Sequence, residues 1–179
     1  LTAGLALLTV GMAFKVAAVP FHLWTPDVYQ GSPSPATGFM AAAAKAAGFA
    51  GMLRVLFQAL ATRSSDWRPV VWLLAVVTVV GGSVMAVVQT DVKRMLAFSS
   101  ISHAGFMLVG VEAAAHHVGD PSTAGSGHGA VLLYTLLYAV IVIGTFGVVT
   151  AVGRTGDGRP AQRDSSGSGL GAQPERDLA

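Results

Sequence analysis

The chain has 179 residues, of which 53% are hydrophobic and only 11% charged, against about a quarter charged in an ordinary soluble domain. That deficit excludes a globule surrounded by water, and a formal net charge of +2 is too small to suggest a nucleic-acid partner. The chain has no cysteine, which excludes disulfides, thiolate iron–sulfur ligation and Cys-ligated zinc within it.

Crossing a ~30 Å hydrocarbon core takes about 20 apolar residues. Five stretches read as crossings: 1–20, 37–60, 70–89, 95–111 and 130–152. The expected fold is all-α, a polytopic membrane helix bundle of about five transmembrane helices. Leu1 stands inside an apolar run with no charged region before it. It does not read as a signal peptide, and the chain reads as an internal piece of a longer membrane protein.

The first stretch carries Lys15 and ends at Pro20, followed by FHLWTPDVYQG. Proline removes a backbone donor and disrupts the turn before it, so a broken helix is expected with Lys15 beside the break. Irregular backbone at membrane depth is tolerated only inside protein or beside a water-filled cavity, and such breaks mark transport sites. A helix that simply ends at Pro20, with a surface loop after it, is the plainer reading. Trp24 and Tyr29 suit an interfacial level.

A Pro-rich hinge, GSPSPA, leads into the second stretch. Ala43, Ala47 and Gly51 recur every fourth residue and form a small-residue stripe that allows close helix approach. Lys45 faces a different side from at least part of that stripe, about eight residues into the helix. An ammonium in hydrocarbon costs roughly 2.5–3.5 kcal/mol on insertion scales, and snorkelling would have to reach about 12 Å along the axis. None of the nine acidic residues lies within an apolar core stretch. Lys15 and Lys45 must find their acidic partner elsewhere or spend part of their time neutral.

The third stretch holds Gly81-Gly82, and the polar turn QTDVKR follows. In the fourth, Ser99 and His103 share a face, flanked by Ser100 and Ser102. The fifth carries Tyr134 and Tyr138 one turn apart, with Thr135 and Thr145. Residues 112–129 read as a polar loop with Glu112, His116, His117, Asp120 and His128, whose spacing fits no zinc signature. His22 and His103 do not make the facing histidine pairs of a haem bundle. Residues 1–152 form the membrane unit, and the Gly/Ser/Arg-rich segment 153–179 is too polar to fold alone. Basic residues divide six against three, which puts the 90–94 turn, the 21–36 connection and the tail on the cytoplasmic side and the His-rich loop outside.

Two blocks carry a family likeness. FKVAAVPFHLWTPDVYQGSPSPATGFMAAAAKAAGFAGMLRVL and QTDVKRMLAFSSISHAGFMLVG resemble the antiporter-like membrane subunit N of bacterial NADH:quinone oxidoreductase, respiratory complex I, whose mitochondrial counterpart is NADH dehydrogenase subunit 2. Together they cover over a third of the chain. The resemblance implies a bundle of about fourteen helices built from inverted repeats, of which this chain would supply helices seven to eleven. It implies that Lys15 matches the lysine beside the break in helix seven that takes part in proton translocation. Lys45 would match a lysine of the central polar axis on helix eight, and His103 a relay or water-lining histidine. The family's glutamate partner on helix five and terminal lysine on helix twelve have no counterpart here.

The resemblance further implies a translocase subunit of the bacterial cell membrane, partnered by other membrane subunits and lipid. NAD and quinone would be used by the whole complex, and no cofactor or metal is expected on this chain. Two other readings stand beside it. One is a subunit of a sodium/proton antiporter or membrane-bound hydrogenase, which the 21–36 block disfavours. The other is a structural scaffold, in which neither lysine matters to proton flux.

Overall fold

The computed structural model describes residues 2–116 and 124–156. Its order is α1 (Thr2–Val16), α2 (Trp24–Gly31), α3 (Ser34–Arg54), a π-helical turn (Val55–Ala59), a 3-10 turn (Ala61–Arg63), α4 (Ser64–Val87), α5 (Val92–His116) and α6 (Ala124–Gly156). The described residues contain no strand. Four helical stretches are long and apolar enough to cross a membrane, Ser34–Ala59, Ala61–Val87, Val92–His116 and Gly127–Gly153, while Ala3–Val16 is shorter. Large apolar side chains cover the outside, such as Trp72, Leu73 and Val84 on α4 and Leu133, Leu137 and Ile143 on α6. Such faces suit hydrocarbon surroundings.

Glycines set how closely the helices pack. A Cβ on Gly82 would lie 2.6 Å from the Ser102 backbone nitrogen, and one on Gly105 would lie 2.7 Å from that of Val79. These two contacts hold α4 and α5 antiparallel, backbone against backbone. A Cβ on Gly110 would meet Val131, and one on Gly38 would meet Phe146, so α6 lies antiparallel to both α5 and α3. The Ala43/Ala47/Gly51 stripe is not where helices meet. Ala47 is exposed and a Cβ on Gly51 would meet nothing within 4 Å. The face of α3 turned inward is instead Gly38, Ala41, Ala42, Lys45, Gly48, Phe49 and Met52.

The first stretch is broken, but not by Pro20. α1 stops at Val16, four residues earlier. The Ala17 N–H donates to the Phe14 carbonyl at 3.1 Å and the Ala18 N–H to the Ala13 carbonyl at 2.8 Å, the paired closure of a Schellman motif. Ala17 takes the left-handed position that glycine usually fills, with φ 62°. The Val19 N–H then donates to Thr78 Oγ1 at 3.0 Å. Thr78 is nine residues from the end of α4 at Val87, or about 14 Å along the axis. The irregular segment therefore lies within the depth of the bundle. The chain re-forms a helix as α2 and turns into α3 through Ser32 and Pro33.

One end of the bundle gathers α2, the 88–91 turn and the starts of α3 and α5. There Arg94 donates to Asp27 at 2.9 Å and to Gln30 at 3.0 Å, and Lys93 donates to the Ser32 carbonyl at 3.0 Å. At the opposite end Arg68 lies 3.3 Å from Glu112, which also meets His116 at 3.0 Å. The expected polar loop 112–129 is shorter than its composition suggested. α5 continues through Glu112 to His116, because the alanines after Glu112 sustain helix, and α6 begins at Ala124. His117 and Asp120 lie outside the described residues. So does the expected polar tail beyond Gly156; its first residues, 153–156, continue α6.

Candidate functional site

Lys45 is 4% exposed and does not snorkel. Its ammonium donates to the backbone carbonyl of Ser100 on α5 and lies 5.6 Å from the ring centroid of Tyr138 on α6. Among the described residues neither Lys45 nor Lys15 makes an ion pair. The charge is met by a carbonyl dipole and an aromatic face, both neutral.

Around that amine the structure draws one polar seam across four helices. Ser100 Oγ and the Tyr29 hydroxyl of α2 are 3.3 Å apart. The Tyr138 ring stands 5.2 Å from the His103 ring, and His103 Nδ1 is 2.8 Å from the Tyr134 hydroxyl. The Tyr138 hydroxyl is buried without a hydrogen-bond partner among the described residues. The sequence order of these groups is scattered, but antiparallel α3 and α6 bring 45 opposite 138, and α5 against α6 brings 103 opposite 134 and 138. Each hydroxyl both donates and accepts, and the direct side-chain hydrogen bonds form two short pieces, Tyr29–Ser100 and His103–Tyr134, with the Lys45 amine against Ser100 and the Tyr138 ring against His103.

The three expected site residues fall differently. Lys45 and His103 belong to this seam. Lys15 stands in the last turn of α1 and is exposed on the surface of this bundle. Its position there suits the carbonyl-rich end of a helix, where a cation is favoured. Its stem runs beside α3: a Cβ on Gly48 would come within 3.4 Å of Lys15 Cγ and 2.9 Å of Val16 Cγ1. Gly48, one turn beyond Lys45, leaves the gap that lets the α1 end approach.

Two members of the seam differ from expectation. Tyr29 is 3% exposed and points into the bundle rather than to an interface, on the side of α2 that meets Ser100 of α5 and Phe146 of α6. Its ring packs edge-on to Phe146 at 6.0 Å. Trp24 folds back on α1, with its indole donating to the Phe14 carbonyl at 3.2 Å. The serine in the seam is Ser100, not Ser99. Ser102 turns the other way, 2.9 Å from Ser83 of α4. Ser100 and His103 are also one turn apart, a spacing that could have found the pair.

Comparison with known proteins gives the family. A family described as NADH:quinone oxidoreductase/Mrp antiporter, transmembrane, matches residues 1–164. The chain is 50% identical over 168 residues to "NADH-quinone oxidoreductase subunit N 3" of Streptomyces griseus, covering 94% of this chain and 28% of that protein. It is 53% identical over 149 residues to "NADH-quinone oxidoreductase subunit N" of Rhodococcus opacus, 83% of this chain and 26% of that one. With the protein of the same name from Mycobacterium tuberculosis it shares 49% over 172 residues, 94% of this chain and 30% of that one. The chain thus spans less than a third of the length of these relatives. The chain belongs to the NADH:quinone oxidoreductase/Mrp antiporter membrane family.

Proposed function

We propose that this chain is a proton-translocating part of a subunit N of NADH:quinone oxidoreductase, in which buried lysines carry protons while electrons pass from NADH to quinone elsewhere in the complex. The observation that carries the reading is the Lys45 amine, enclosed among α3, α5 and α6 and bonded to the Ser100 carbonyl. Burial disfavours the charged amine, and a nearby carboxylate favours it. An amine held between those influences loads and releases a proton as a partner charge moves or the site hydrates.

In this reading Lys15, Lys45 and His103 are the proton-handling residues. Lys15 stands at the break, on a face of this bundle that other helices of the longer protein would cover, and an acidic partner would come from there. The chain binds no cofactor itself. Its partners are the other membrane subunits, the lipid of a bacterial cell membrane and, at the level of the complex, quinone. The end holding Lys93 and Arg94 is assigned to the cytoplasm on its basic residues, with the 157–179 tail on the same side.

The test is proton pumping by the full-length protein in its assembled complex. Lys15→Ala and Lys45→Met should each sharply lower NADH-driven pumping with assembly intact. Normal pumping in both would leave the scaffold reading, and sodium-dependent flux without quinone reduction would favour an antiporter.

A further inference from the structure

We propose that Tyr138 is a positioning residue for Lys45, and that the electron-rich face of its ring holds the ammonium inside the bundle in place of a carboxylate. The inference rests on the proton-handling role given to Lys45 and adds the group that holds the amine in place.

The geometry is local. Lys45 Nζ lies 5.6 Å from the Tyr138 centroid, within the ~6 Å over which a ring quadrupole attracts a cation. Both residues are buried, at 4% and 5% exposure, and the attraction is strongest where water is excluded. Among the described residues the other group on the amine is the Ser100 carbonyl, one dipole for an ammonium with three donors. Asp27, Asp66 and Asp91 are exposed, and Glu112 is engaged with Arg68 and His116 at the end of the bundle. Among the described residues the Tyr138 hydroxyl has no hydrogen-bond partner of ordinary geometry. The ring is oriented instead by its neighbours: His103 lies 5.2 Å away, itself held by Tyr134. A ring fixed in this way presents its face to Lys45.

Fluorination of the ring separates this role from simple packing. It drains the ring face of negative charge and changes shape little. In the full-length protein within its complex, Tyr138→Phe keeps the ring face and is the reference from which the series is read. Phenylalanines carrying one, two and three fluorines at 138 should pump progressively less, falling on the order of tenfold at three, with the pH profile displaced in the same order. Lys45→Met in the same assay keeps the two ideas apart. If it pumps normally, the proton role of Lys45 fails. If it is defective while the fluorinated series stays level with Tyr138→Phe, or if Tyr138→Phe alone causes the whole loss, the ring-face role of Tyr138 is overturned.

Discussion

Tyr29 and Ser100 meet at 3.3 Å through their hydroxyls although 71 residues separate them. Ser100 also accepts the Lys45 ammonium at its carbonyl. One residue of α5 therefore ties the segment that follows the helix break to the buried amine. Tyr29→Phe should cost about 0.5–1.5 kcal/mol, one buried hydrogen bond, since the freed serine hydroxyl can turn back to its own helix. Thermal unfolding of the purified full-length protein would read this as a small drop in Tm. A large loss would mean that the tie does more than one bond's work.

The α4–α5 contact admits no side chain at two points. Gly82→Ala and Gly105→Ala would each push a methyl against partner backbone closer than 3 Å. Overpacking of that kind costs roughly 1–3 kcal/mol, and here no flexible side chain can yield. Gly51→Ala is the control, because its Cβ would meet open space and removing a helical glycine gains about 0.5–1 kcal/mol. Detergent stability of the three variants should fall, fall and rise.

Ala17 sits in a conformation that costs an L-residue energy, at φ 62°. Ala17→Gly should relieve on the order of 1 kcal/mol, offset in part by the freer unfolded chain. Ala17→Val should destabilise, since a branched side chain is less tolerant of a left-handed backbone. A more stable valine variant, measured by the same unfolding assay, would show that the helix end at Val16 is not held by this turn.

Arg94 bridges α5 to Asp27 and Gln30 of α2. The Asp27 side chain is 75% exposed, so the ion pair itself is worth little, about 0–1 kcal/mol. Asp27→Asn should therefore leave stability nearly unchanged. Arg94→Ala removes both contacts and should loosen α2, seen as faster amide exchange over residues 24–31. Equal exchange in the two variants would show that Arg94 is not the tether and that contacts such as Lys93–Ser32 and Tyr29–Ser100 hold α2.

The helices were legible because apolar runs of membrane length have no soluble alternative, and glycine pairs such as Gly82 and Gly105 lie inside them. The site was legible in part. Lys45 announces itself as a charge in an apolar run, and His103 as an imidazole one turn from serines. Which serine faces the amine was not, because Ser99, Ser100 and Ser102 differ only by rotation about α5, and tertiary packing fixes that rotation. Tyr29 was placed at an interface because its sequence neighbours are polar. Its burial comes from contact with Ser100 and Phe146, more than seventy residues away. Lys15 lies in an apolar run as Lys45 does, yet only Lys45 is enclosed here, since run composition does not say which helix face finds a neighbour.

Lys45→Arg offers the most direct test of the claim that Lys45 acts by gaining and losing a proton. Arginine keeps a positive charge and, with a pKa above about 12, does not release its proton in the working range. The measurement is the number of protons moved per electron pair in vesicles carrying the assembled complex. A ratio well below wild type, with quinone reduction retained, is the expected result; a wild-type ratio would show that a fixed charge suffices and that Lys45 does not exchange protons.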